Sequence, residues 1–140
     1  MDDKTNRQQL QCFNKKIMHD VYWSFFGEKY QSRSEFDAEV RQYQIEISGI
    51  DSWQPDEVVI QFPRIRIEYY RDEGGFEYED FIEIESDNGE FLTGGELLFK
   101  VHNAVVEQLR EINHHFFEGL NLKSIRSRDN LPVYHLCQGS

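Results

Sequence analysis

Between Val58 and Ile84 the large apolar residues recur at every second position, and this alternation constrains the fold more than any other feature of the chain. A period of two places side chains on one face of a strand. Val58 to Phe62 reads as one strand, and Ile65, Ile67 and Tyr69 alternate with Arg64, Arg66 and Glu68 as another. Pro63 between them has no N–H to donate and belongs at a break or an edge. Beyond Asp72-Glu73-Gly74-Gly75, Phe76, Tyr78, Ile82 and Ile84 keep the even positions apolar, so a β-hairpin is expected with the glycines in its loop. Asp80 and Phe81 fall out of phase, which predicts a bulge near residues 79 to 81. With Arg71 paired to Phe76 across a four-residue loop, Arg64 faces Glu83 and Arg66 faces Phe81.

The period changes to three and four after Thr93-Gly94-Gly95-Glu96, a capping-box sequence in which the Thr hydroxyl accepts from the Glu96 N–H and the carboxylate reaches back. Leu97, Leu98, Val101, Ala104, Val105, Leu109 and Ile112 form the apolar stripe of a helix ending near Asn113. The same spacing at Leu10, Phe13, Ile17, Met18, Val21, Tyr22 and Phe25 predicts an N-terminal helix over Gln8 to Phe26, stopped by Gly27. Ser34 opens a short second helix carrying Phe36 and Val40, and Tyr43, Ile45 and Ile47 alternate as a strand. Phe91 and Leu92 make a short strand, Phe116 to Leu120 a short strand or turn, residues 123 to 130 a polar loop, and Pro132 to Cys137 a last strand. The expected architecture is one α+β domain over residues 1–140. An antiparallel sheet of about five or six strands is covered on one face by the N-terminal helix and the late amphipathic helix.

Charge narrows the classes of function. The 26 acidic and 15 basic side chains give a formal net charge of −11, which repels nucleic acid and anionic membranes and favours a basic protein as partner. The same excess also serves solubility. No apolar run approaches a membrane span, the first residues lack a signal core, and only Cys12 and Cys137 are present, without the dense pairing of small secreted domains, so a reducing cytoplasmic setting is expected.

Phosphate-loop, dinucleotide, nucleophile-elbow and paired-His zinc motifs are absent, so no catalytic residue, cofactor or metal ligand is assigned. His102, His114 and His115 bracket the end of the late helix at a spacing that converges poorly on a metal, and His135 with Cys137 shares one strand face without a second ligand pair. The most distinctive run is Asp72 to Glu90, in which nine carboxylates stand without a basic residue. Glu77, Glu79, Glu83 and Glu85 share the outward parity of their strand. With Asp72 and Glu73, and with Tyr70 and Trp53 as aromatic anchors off the apolar parity or in a loop, they form the expected partner-binding set. An acid-based enzyme site using Asp80 with His102 or His115 is the alternative that the titratable residues offer.

The segment Gly94-Gly-Glu-Leu-Leu-Phe-Lys-Val-His-Asn-Ala-Val-Val-Glu-Gln-Leu, followed by His115-Phe-Phe-Glu-Gly-Leu and Leu131-Pro-Val-Tyr-His-Leu, resembles bacterial immunity proteins that neutralise polymorphic or contact-dependent toxins. The resemblance implies an inhibitor that docks stoichiometrically on a basic toxin domain, such as a nuclease, without chemistry of its own. Adaptors and acidic mimics of nucleic acid share the same general character.

Overall fold

The structure, a computed structural model, describes residues 13–139. In chain order the elements are β1 (Lys16–Ile17), β2 (Trp23–Ser24), α1 (Arg33–Ser48), β3 (Val58–Ile60), β4 (Arg64–Glu73), β5 (Phe76–Glu85), β6 (Leu92–Thr93), α2 (Gly94–Leu109), β7 (Phe116–Arg126) and β8 (Leu131–Gly139). This is an α+β fold. The main sheet has six strands in the order β1-β7-β8-β4-β5, with β2 also paired to β7, while β3 and β6 form a separate two-stranded ladder. The sheet is mixed rather than antiparallel throughout, because β4 and β8 run parallel, with Ile67 beside Tyr134.

The late helix forms where the capping sequence puts it. Thr93 is its N-cap and accepts from the Glu96 N–H at 3.3 Å, but the Glu96 carboxylate turns outward to the Asp87 N–H (2.7 Å) and Lys100 Nζ (2.9 Å) instead of closing the box. Leu97, Leu98, Val101, Val105 and Leu109 are fully buried against Ile65, Ile67, Tyr69 and Ile84 of the sheet and against Tyr134 of β8. Burial of each such side chain stabilises by roughly 1.5–3 kcal/mol before entropy is counted.

The other helix lies elsewhere than expected. Residues 13–26 carry two short strands, β1 against Leu120–Asn121 and β2 against Phe116–Phe117, and no helix; Leu10 and Cys12 lie outside the described residues. Ile17, Trp23 and Phe25 are buried, so burial in this segment follows the extended period and not the helical one. The second helix is α1, which runs through the segment expected to be a strand. Its N-cap is Ser32, its buried stripe is Phe36, Val40 and Gln44, and Ile45 and Ile47 remain 38% and 55% exposed. Their alternation reports no buried face, and Arg41, Gln42, Gln44 and Glu46 around them favour helix. α1 packs on α2 and β2, so both helices lie on the same side of the sheet.

The expected short strand or turn at Phe116 to Leu120 and the start of the expected polar loop form one long strand, β7, which pairs antiparallel with β8 across residues 127–130; β8 contains the expected last strand Pro132 to Cys137. Gly119 marks an irregularity in the register of this pair, with φ of +98°. A Cβ there would stand 2.6 Å from His19 Cδ2 and 2.9 Å from the Ile17 carbonyl oxygen, so only glycine lets β1 approach.

Candidate partner-binding face

The hairpin of β4 and β5 closes with a two-residue loop. Gly74 and Gly75 have φ of +63° and +84°, and Glu73 pairs with Phe76. Two consecutive positive φ values suit the right-handed twist of the flanking strands. Pairing is regular from Glu73–Phe76 to Arg64–Glu85, with no bulge at residues 79 to 81. Relative to the four-residue loop expected, the register shifts by two, so Arg64 faces Glu85 and Arg66 faces Glu83. The regular pairing puts Phe81 on the charged face, where the Arg66 guanidinium lies 3.6 Å above its ring centroid, a cation–π contact.

Parity puts Glu77, Glu79, Phe81, Glu83 and Glu85 of β5 with Arg64, Arg66, Glu68 and Tyr70 of β4 on the face away from the helices. Part of the acidic row is neutralised from β7. Lys123 reaches Glu79 (3.7 Å) and bonds Glu68, while Arg126 reaches Glu83 (3.3 Å) and Asp129 (2.8 Å), which also holds Arg64 (3.2 Å). Lys123 and Arg66 hold the Glu68 carboxyl below its ordinary range against the opposing effect of burial, with the Lys123 hydrogen bond the largest influence. Arg126 lowers Asp129 in the same way. Near the loop, Arg71 bonds Glu73 (2.8 Å) and Asp80 (2.9 Å). Exposed pairs of this kind contribute about 0–1 kcal/mol each, so their main effect is on the field rather than the fold. Among the described residues, Asp72, Glu77 and Glu85 have no cation partner.

Tyr70 is the centre of this face. The residue is 37% exposed, and its ring meets His135 edge-on at 5.3 Å. Its backbone is fixed by Gln138, whose Oε1 accepts from the Tyr70 N–H (2.7 Å) and whose Nε2 donates to the Tyr70 carbonyl (2.9 Å) and the His114 carbonyl (3.0 Å). Three concavities share Tyr70. The largest, about 470 Å³, is lined by Asp72, Glu77, Glu111, Ile112 and His114 and by Arg71, whose guanidinium is held by Glu73 and Asp80. A second of about 190 Å³ lies over Glu77 and His135, and a third of about 380 Å³ over Glu79 and Lys123. Asp72, Glu77 and Glu111 thus bring three carboxylates without ion-pair partners to one cleft beside an aromatic ring. Sequence reasoning singled out Tyr70, Asp72 and Glu77 but missed Glu111 and His114, which arrive from the connection after α2, and Lys123 and Arg126, which stand in a stretch taken for a loop.

The remaining expected residues separate. Trp53 is only 5% exposed and belongs to the core, so it presents no ring to a partner; its Nε1 has no hydrogen-bond partner. Glu73 is tied to Arg71 at the hairpin end. Asp80 bonds Arg71 and the Phe81 N–H, whereas His102 is fully buried on α2, with Nδ1 accepting from Trp23 Nε1 (3.1 Å) and Nε2 facing the Glu28 carbonyl (3.0 Å). These two groups share no hydrogen bond. His115 faces the Ile112 carbonyl. Burial pushes the Cys137 thiol up, with Glu118 adding to the effect. Among the described residues no three His, Cys, Asp or Glu side chains are grouped to hold a metal, and no helix is long and apolar enough to cross a membrane. Compared with family models, curated proteins and solved structures, the chain matches none.

Proposed function

We infer that this protein is a non-catalytic binding domain that neutralises a basic protein, in the manner of an immunity protein acting stoichiometrically on a toxin. The observation that carries the reading is the cleft beside Tyr70, where Asp72, Glu77 and Glu111 stand without ion-pair partners among the described residues and outnumber Arg71, which is already bonded to Glu73 and Asp80. A guanidinium or ammonium group entering it meets carboxylates and the face of an aromatic ring, the combination that recognises Arg and Lys. The net charge of −11 supports the same reading by speeding encounter with a basic partner.

The test is co-expression with the products of the genes flanking its own, reading host survival and co-purification at low and moderate salt. Rescue from a toxic neighbour, with a one-to-one complex weakened by salt and by the triple variant Asp72→Lys, Glu77→Lys, Glu111→Lys, supports the reading. Harmless neighbours and no complex overturn the toxin assignment. A folded triple variant that binds as tightly as the wild type removes the cleft from it.

A further inference from the structure

Among the described residues strand β5 ends the main sheet, since β4 is its only partner there, and it runs for ten residues without a bulge. The direction of its free backbone groups follows from three contacts. The Tyr70 N–H and carbonyl both point to Gln138 on β8, so the Tyr70–Glu79 pair is one that exchanges no ladder bonds. The two-residue hairpin loop requires Glu73–Phe76 to be a bonded pair, which puts the odd residues of β5 in the other class. At Glu85, another odd residue, the carbonyl points away from β4 and accepts from Lys100 Nζ at 2.6 Å. The N–H and carbonyl groups of Glu77, Glu79, Phe81 and Glu83 therefore face the open edge. The Phe81 N–H is taken by the Asp80 side chain at 2.7 Å, which leaves those of Glu77, Glu79 and Glu83 without a hydrogen-bond partner on this side among the described residues.

The same residues that offer backbone groups carry the carboxylate row, and this selects the occupant. A second copy pairing edge to edge sets Glu against Glu, which is destabilising. An extended segment with Lys or Arg at alternate positions sets cations against Glu77, Glu79 and Glu83. Phe76, Tyr78 and Phe81 are exposed along the strand to cover its apolar parts. We propose that the β5 edge binds the basic partner by adding one of its extended, alternately cationic segments as a seventh strand of the sheet. This rests on the basic-partner reading and adds the backbone pairing that an acidic face alone does not require.

The test uses the full chain and two synthetic peptides, one alternating Lys and Thr over ten residues and one with five Lys followed by five Thr. Binding is followed by NMR titration at low and moderate salt, together with amide exchange at residues 77, 79 and 83. Glu79→Thr removes one charge and keeps the N–H; Glu79→Pro removes both, and spares the β4 ladder because that N–H faces away from it. Expected are binding of the alternating peptide in preference to the blocked one, slowed exchange at 77, 79 and 83, a loss of about two- to threefold in Glu79→Thr, and a loss of about tenfold or more in Glu79→Pro. If Glu79→Pro fails to fold, Glu83→Pro against Glu83→Thr makes the same comparison. Equal losses in the Thr and Pro variants, or equal binding of both peptides, overturn strand addition while leaving a basic partner in place. Absence of salt-sensitive binding by either peptide overturns the basic-partner reading as well.

Discussion

At the scale of single residues the fold relies on side-chain amides that imitate a strand. Gln44 accepts from the Tyr22 N–H (2.8 Å) and donates to the Tyr22 carbonyl; Asn103 does the same to Tyr30 (2.9 and 3.0 Å), as does Gln138 to Tyr70. Each satisfies a backbone pair that no ladder reaches. His102 performs a related task inside an aromatic cage of Trp23, Phe25, Tyr30 and Phe36. Because Nδ1 accepts the indole N–H, Nε2 carries the proton and the ring is neutral. Burial lowers its pKa from the ordinary value of 6.5, outweighing the contact with the Glu28 carbonyl. The unfolded chain then binds a proton that the native state refuses, so stability is full above pH 6.5 and declines on acidification toward the depressed native value. Denaturant unfolding between pH 7.5 and 5.5 is expected to show this decline, at most about 1.4 kcal/mol per pH unit. His102→Leu, less stable at every pH, is expected to show a flatter profile; an equally steep one assigns the dependence to another group. At Gly119, alanine is expected to cost about 2 kcal/mol or more, since both its φ and its Cβ are in conflict. A midpoint unchanged from wild type in thermal unfolding of Gly119→Ala contradicts that account.

Among the elements, those with a local signal in the sequence were legible. The Thr93 cap, the stripe from Leu97 to Leu109 and the Gly74-Gly75 turn each state their own conformation. What was hidden depends on distant partners. The three-and-four spacing of residues 13–26 is overruled by pairing with β7, and β7 itself reads as polar because its outward residues Lys123 and Arg126 cross to charges on other elements. The acidic row was legible as a face, but the cations answering it were not, for the same reason. Lys100 shows how an element is tied down by such a contact. Its Nζ donates to the Glu85 carbonyl (2.6 Å), Asp87 Oδ1 (2.8 Å) and Glu96 Oε2 (2.9 Å), joining α2 to the end of β5. Lys100→Met leaves the mostly buried Glu96 carboxylate with the Asp87 N–H alone, at a cost of about 2 kcal/mol after allowance for partial exposure. Adding Glu96→Gln to Lys100→Met is expected to recover part of that loss in a double-mutant cycle. Strictly additive losses show that the charge of Glu96 is not what Lys100 holds.

For the whole molecule, charge decides which contacts are permitted. A regular ten-residue edge is a template for self-pairing, and proteins commonly blunt such edges with bulges, prolines or charge. Here β5 has neither bulge nor proline, and no strand among the described residues pairs with its outer edge, so repulsion between carboxylate rows is the protection that these residues supply. Replacing Glu77, Glu79, Glu83 and Glu85 with Thr keeps the strand, raises its β propensity and loses only the exposed pairs with Lys123 and Arg126. The variant is expected to remain folded by circular dichroism and to associate with rising concentration in sedimentation velocity, under conditions in which the wild type keeps its lower mass. Adding Phe81→Pro, which places a residue without an N–H in the middle of the open edge, is expected to return the variant to that lower mass. A folded Thr variant that does not associate shows that charge is not what keeps the edge apart, and one that associates equally with Phe81→Pro shows that a surface other than β5 joins the copies.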